Sequence, residues 1–332
     1  MHCLENSTGE LPLFYEGSEK KTELIVDCKQ LNLLTDIDTC VWTDLVNACN
    51  AKILSSIENK HCRAYLLSES SLFIWKDRLL IITCGVTQLV NSAIFFFEKY
   101  GIDVVEHFIY QRKNEYFSHA QSSNFGQDAK RLQDYVSGNA FRFGNLDSHH
   151  NYLFQLTNNR KCTPKTKTYE LTTYQISDRA SEILTNPQLA AKDVRKFLQL
   201  NRLIPGFTLD DFVFEPFGYS LNAIKDEWYF TIHVTPQRGS SYISFESNIN
   251  LLALVPIILE VLTPNAFDLL TFNETNFDTF AAKYIDNTYI CQSNVSKHIE
   301  HSYQVNFAHY ILPQSQQTSP VELALDKSYF TL

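Results

Sequence analysis

The sequence predicts a sheet-rich globular chain with helices, and three observations carry that reading. Of its 332 residues 44% are hydrophobic, with 24 Phe and 17 Tyr against 10 Gly and 10 Pro, a balance that favours packed strands over disorder. Residues 65–75 and 79–83 are runs of strand formers joined by polar Lys76-Asp77-Arg78, a hairpin pattern. Beyond Cys84-Gly85, apolar Val86, Leu89, Val90, Ala93, Ile94 and Phe97 recur at helical spacings.

The elements follow in chain order. Residues 1–12 are polar, and 13–26 end in a strand-like run after Glu16-Gly17-Ser18-Glu19-Lys20, which by itself reads as a turn with solvated charges. Asp38 to Ile57 reads as one helix, with Val46, Cys49, Ile53 and Ile57 on one side. In the hairpin, Ser68-Glu69-Ser70-Ser71 interrupts an apolar strand with groups that are costly to bury unpaired. On composition alone such an insert reads as a bulge or an exposed turn. Cys84 alone reads as a small buried hydrophobe. The helix predicted after it would bring its thiol near a helix N-terminus, where the dipole favours thiolate.

A strand follows at Val104 to Tyr110, and Gly144 to Asp147 is a turn before a strand from Asn151 to Leu156. His149 and His150 are adjacent, so they point to different sides, make a poor metal pair and read as solvent-exposed; no metal site is expected. Ala180 to Thr185 belongs to a helix, with Asp178 and Glu182 as like charges on one face. In Trp228 to Pro236, Thr231, His233 and Thr235 alternate with Phe230, Ile232 and Val234, so a strand would set His233 opposite the apolar face. Ser220, after Gly218-Tyr219, reads as a turn hydroxyl.

Net charge is −9 and no Lys/Arg cluster forms a basic face, which argues against nucleic acid. The N-terminus has no signal-peptide pattern, and the apolar run Leu251 to Leu262 is too short to span a bilayer, so no membrane partner is expected. The eight cysteines form no CxxC pair, and reduced thiols in a cytoplasmic protein are the simplest reading.

Several strings together resemble one family. LLSESSLF followed by TCG, the EGSEK turn after Tyr15, YQRKN around Arg112 and Lys113, FGYS, TIHVTP and SFE occur in the order found in eukaryotic S-adenosylmethionine decarboxylases. Departures are Phe217 where the family has Cys, and Gln237 where it has a Glu that grips the ribose hydroxyls. The resemblance implies an α+β fold, a four-layer α/β/β/α sandwich of two antiparallel sheets flanked by helices. It implies a single domain over residues 1–332, cut by its own chemistry between Glu69 and Ser70 into 1–69 and 70–332.

The roles implied are these. Ser70 attacks the Glu69 carbonyl, Ser220 supports the intermediate, and His233 removes the Ser70 α-proton. A pyruvoyl cofactor is left on Ser70 to condense with the amine of S-adenosylmethionine. Cys84 is the proton donor in decarboxylation, and Glu16 and Glu19 contribute to the active site. Tyr15 and Phe214 stack on adenine, with Leu67, Glu69 and Gln237 completing the substrate pocket. Asp178, Glu182 and Glu246 are the acids expected to hold putrescine as an activator, although its supporting groups are replaced by Ile82 and Ile109. A homodimer of cleaved protomers is one expected assembly, and the product would feed spermidine and spermine synthesis. The alternative is a catalytically dead regulatory paralogue, which would typically lack the cleavage pair or the Cys; here Glu69, Ser70, Cys84, Ser220 and His233 all stand.

Overall fold

The computed structural model describes residues 19–115, 120–157, 166–236, 241–299 and 303–313. Its first sheet comprises β1 (Lys20–Val26), β2 (Ile53–Glu58), β3 (Arg63–Leu67), β4 (Ser70–Ile74), β5 (Arg78–Thr83), β6 (Val105–Lys113), β7 (Gly138–Gly144) and β8 (His150–Leu156). The second comprises β9 (Thr168–Tyr174), β10 (Thr208–Val213), β11 (Tyr219–Lys225), β12 (Trp228–Thr235), β13 (Tyr242–Ser247), β14 (Ala266–Phe272), β15 (Ile290–Ile299) and β16 (Tyr303–Ile311). Their orders are β2-β3-β4-β5-β1-β6-β8-β7 and β10-β11-β12-β13-β9-β14-β16-β15. The second order is the first with eight added to every strand, so the topology is duplicated although no repeat is legible in the residues.

Helices α1 (Thr39–Ala48), α2 (Leu89–Tyr100) and α3 (Phe125–Gln133) cover the outer face of the first sheet. There Leu24, Ile81 and Phe108 pack against Trp42, Val46, Phe96 and Leu132. Helices α4 (Asp178–Leu184), α5 (Ala191–Phe197), α6 (Leu200–Leu203), α7 (Val255–Leu262) and α8 (Phe277–Tyr284) cover the second. The result is the expected four-layer sandwich. Among the described residues no helix is long and apolar enough to cross a membrane.

Because both faces of each sheet are covered, strand alternation separates two interiors rather than interior from solvent. The helix-facing interiors are mainly apolar. The space between the sheets holds apolar clusters around Phe73, Ile82 and Tyr229 and around Ile109, Phe272 and Tyr303. It also buries Glu19, Lys21, Lys113, Glu170 and Glu246. Alternation on β6 likewise parts neighbours: Arg112 turns to the helix side, where it pairs with Asp128, while Lys113 enters the sandwich and pairs with Glu170.

Three local readings are corrected. The helix expected over Asp38 to Ile57 ends at Ala48, because Asn50 adopts φ 66°, a left-handed conformation in which Asn commonly stops helices, and Ile53 to Glu58 is a strand. The strand expected over residues 65–75 is two strands, β3 and β4. Helix α2 begins at Leu89, and Val86 is exposed. Cys84 is thus five residues from the helix start, and the dipole argument for its thiol falls.

Candidate active site

Leu67 pairs directly with Ser70, so Ser68 and Glu69 alone turn the chain between β3 and β4. Two-residue hairpins ordinarily place Asn or Gly at positive φ. Neither is available, and Ser70 itself takes φ 132°, a conformation that costs an L residue about 1–3 kcal/mol. The strain therefore adjoins the Glu69–Ser70 peptide bond. The Glu69 carbonyl accepts the Cys84 N–H at 3.1 Å and the Cys84 thiol at 3.5 Å. Ser70 Oγ lies 3.3 Å from Cys84 Sγ. A hydroxyl, a thiol and a polarised carbonyl thus meet at one turn, with Ser70 buried and both Glu69 and Cys84 half-buried. The cation beside this loop is Lys20, whose ammonium donates to the Gly85 carbonyl at 2.7 Å; burial and Arg112 lower its pKa to about 8.

The second sheet supplies His233, directly opposite Ser220 across β11 and β12. Ser220 Oγ is 3.2 Å from His233 Nδ1, and Thr231 Oγ1 is 3.1 Å from Nε2. The Thr231 hydrogen is committed to the Leu221 carbonyl at 2.9 Å, so Nε2 is the protonated nitrogen and Nδ1 keeps its lone pair towards Ser220. Ser71 Oγ, adjacent in sequence to Ser70, bridges the sheets: it donates to Asn222 Oδ1 at 2.6 Å and lies 3.4 Å from His233 Nε2. Burial lowers the His233 pKa to about 4, with Glu19 opposing and Lys113 adding to the shift. The imidazole is therefore a neutral base at physiological pH.

From His233 a chain of charges runs through the inter-sheet space. Ser244, opposite His233, donates to Glu19 at 2.6 Å, and Glu19 pairs with Lys113. Lys113 also lies 2.9 Å from Glu170, which Lys21 contacts at 2.7 Å while reaching Glu246 at 2.9 Å. Burial favours neutral carboxyls, but Lys113 and Lys21 outweigh it at Glu170 and hold that group below the usual carboxylate range. Burial and the neighbouring Glu170 raise Glu246, which accepts the Tyr229 hydroxyl at 2.7 Å. Of the acids expected to hold a diamine, only Glu246 is here; Asp178 and Glu182 are exposed on α4, and Glu170 occupies the interior instead. Residues four apart lie about one turn apart on one helix face, and the face that Asp178 and Glu182 share is the solvent face of α4.

Leu67 is buried, and Phe214 is half-buried, meeting Phe212 edge-on with ring centroids 4.9 Å apart. Phe212 pairs with Ser220, so the Phe214 loop closes the sheet end that carries Ser220 and His233. Tyr15, Glu16 and Gln237 lie outside the described residues. The two histidines expected in solvent are not there: His150 is buried, and His149 is half-buried against Asp268. Sequence reading also missed Ser71, Asn222, Thr231, Lys21 and Glu170. For Asn222 and Thr231 the signal is a polar residue at every second position of otherwise apolar strands, which points to a buried polar layer once both sheet faces are known to be covered; Ser71, Lys21 and Glu170 lie in strands that do not hold such alternation.

Fold and site define a class: a sandwich enzyme with a hydroxyl, a thiol and a neutral imidazole in a buried polar layer. The sequence profile of adenosylmethionine decarboxylase matches residues 12–311. The S-adenosylmethionine decarboxylase proenzyme of Leishmania donovani is 34% identical over 78% of this chain and 73% of its own length. Those of Xenopus laevis (31%, over 76% and 82%) and Dictyostelium discoideum (28%, over 93% and 92%) are also similar. The crystal structure of Trypanosoma brucei AdoMetDC-delta26 monomer superposes with TM-score 0.56 at 22% identity, covering 73% of this chain and 99% of that one, which is a likeness of fold. The chain belongs to the adenosylmethionine decarboxylase family, and it is an enzyme of that family.

Proposed function

We propose that this chain cleaves itself between Glu69 and Ser70 to make a pyruvoyl group and then decarboxylates S-adenosylmethionine for polyamine synthesis. The observation that carries the reading is Ser70 at φ 132° beside a Glu69 carbonyl that Cys84 already hydrogen-bonds. Attack of Ser70 Oγ on that carbonyl forms a C–O bond and breaks the C–N bond, relieving the strained backbone. The Cys84 N–H, and Cys84 Sγ, would stabilise the negative charge on the carbonyl oxygen during this shift. His233 Nδ1, acting through or beside Ser220, takes the Ser70 α-proton. The ester then eliminates to dehydroalanine and a Glu69 carboxylate, and water releases ammonia to leave the pyruvoyl carbonyl.

The residues present suit such a group, because the Ser70 position adjoins a thiol able to move a proton. When formed, it supplies an electron sink for loss of CO2. Cys84 would return a proton to the substrate carbon, Phe214 with Tyr15 would hold the adenine, and the backbone of Leu67 and Glu69 would line the pocket. Cleavage need not separate the pieces. Residues 1–69 contribute β1, β2 and β3, and β1 lies in mid-sheet between β5 and β6. The fragments should co-purify until denatured. Intact mass under denaturing conditions tests the proposal: two fragments divided at Glu69/Ser70 support it, and a single full-length chain opposes it.

His233 sets the pH dependence. With its pKa near 4 in the fold, the rate of fragment formation in refolded precursor should stay flat from pH 8 to about 5 and halve near 4. Halving near pH 6.5 instead would show an exposed imidazole. The stability consequence has the same sign. The unfolded imidazole, at about 6.5, takes a proton before the buried one, so this contribution is intact above 6.5 and is lost as pH falls through 4.

Gln237 in place of Glu offers a neutral acceptor to the ribose. Charged acceptors are worth roughly 1.5–3 kcal/mol against about 1 for neutral ones, so Gln237→Glu should lower KM roughly tenfold with little change in kcat. An unchanged KM would remove Gln237 from the pocket.

A further inference from the structure

The reaction leaves one cluster unused. Asp268 on β14 stands directly opposite His309 on β16, both in the second sheet, and His149 reaches them from the β7–β8 turn of the first. His309 Nδ1 lies 2.8 Å from Asp268 Oδ1, and His149 Nδ1 lies 2.9 Å from Oδ2 and 3.0 Å from Oδ1. The two rings stack with centroids 4.0 Å apart and planes 22° apart. One nitrogen from each imidazole and one carboxylate oxygen all lie within 4.8 Å of one another.

We propose that His149 Nδ1, His309 Nδ1 and an Asp268 carboxylate oxygen form a binding site for a divalent metal ion of the zinc class. Two imidazole nitrogens and one carboxylate oxygen are a donor set suited to zinc. Zinc–ligand bonds of about 2.0–2.2 Å put neighbouring tetrahedral ligands roughly 3.4 Å apart, so the nitrogen–carboxylate separations widen by about half an ångström and the two rings splay from their stack to turn both Nδ1 lone pairs onto the ion. The Nδ1 protons leave as the metal arrives.

The outer partners fit as well. Tyr174 Oη donates to Asp268 Oδ2 at 2.9 Å and Asn114 Nδ2 lies 3.3 Å from the same oxygen, which fixes the carboxylate orientation. The neighbouring cation, Lys113, is already paired with Glu19 and Glu170. An entry path exists because the His149 side chain is 18% exposed, whereas Asp268 and His309 are 9% and 5% exposed. Three protein ligands leave a fourth position for water. Since His149 belongs to one sheet and its two partners to the other, the ion would pin the sandwich at this end.

Chelator-treated full-length protein titrated with zinc chloride, by calorimetry and by thermal melting, tests the site without reference to activity. Wild type should bind one equivalent more than His149→Gln. Its melting point should rise by roughly 5 °C at zinc about 100-fold above Kd, and that of His149→Gln should not. Asp268→Asn, made as a second variant and checked for fold by circular dichroism, should lose the same equivalent. Cobalt should give visible tetrahedral bands in wild type without a sulfur charge-transfer band. Among the described residues, exposed Cys28, Cys40 and Cys291 are competing ligands. Equal zinc uptake and equal melting shifts in wild type and both variants, or a cobalt spectrum dominated by sulfur, would overturn the site.

Discussion

Ser70→Ala leaves one chain of full mass and no decarboxylation above background. The substitution removes the attacking oxygen but keeps the Cβ, and the pairing of β4 with β3 and β5 is made by backbone, so the fold persists. Everything else at the turn remains, including the Cys84 N–H on the Glu69 carbonyl. Loss of cleavage would therefore isolate the hydroxyl as the nucleophile. His233→Ala gives a different failure. The acyl shift proceeds, but with the base gone, elimination slows by about 10²–10⁴-fold and the ester accumulates. Hydroxylamine would then cut the chain at Glu69. The readout for both is intact mass against time after refolding. Two fragments from Ser70→Ala would refute the self-processing mechanism, and a His233→Ala chain cleaving at the wild-type rate would remove the imidazole from it.

Much of this site was legible because its residues sit in short strings whose local pattern survives divergence. The alternation of Thr231 and His233 with Phe230, Ile232 and Val234 correctly assigned His233 to the polar side of β12. Where the reading failed, the determinant was tertiary. Nothing between Ala48 and Ile53 shows periodicity strong enough to mark where helix yields to strand; Asn50 does it by conformation. Asp178 and Glu182 looked like a pair on spacing, yet the face they share is the solvent face of α4. Glu170 carried no local signal, since a single acid in a strand reads as edge or solvent until the opposing sheet is placed over it. His149 was dismissed for its neighbour His150. The two do point apart, as adjacent residues must, but the partner that matters, His309, lies far along the chain on another sheet.

Added putrescine should leave the wild-type rates of cleavage and decarboxylation unchanged, while Lys21→Ala should become slow and diamine-dependent. Among the described residues, the charges linked around Lys21 and Lys113 comprise four carboxylates, Glu19, Glu23, Glu170 and Glu246, against three cations, Lys21, Lys113 and Arg78. Burial and Glu170 push Glu246 towards its neutral form, which accounts for the remaining charge without an external cation. Lys21 is central to that balance: it touches both Glu170 and Glu246, and it sits 5.0 Å from the Phe272 ring centre. Removing it takes one positive charge from between Glu170 and Glu246, in a space where an unpaired carboxylate is very costly. Breaking a buried pair of this kind costs about 3–5 kcal/mol. The disturbance would reach His233 through Glu170, Lys113, Glu19 and Ser244. With Glu246 ionised, a diamine would place one ammonium on Glu170 and the other on Glu246, so putrescine should restore rate and melting point to Lys21→Ala, whereas a monoamine should restore less. Several-fold stimulation of the wild type would show that the internal lysine does not replace a diamine. A Lys21→Ala enzyme of normal rate, indifferent to putrescine, would show that the charge network does not reach the imidazole.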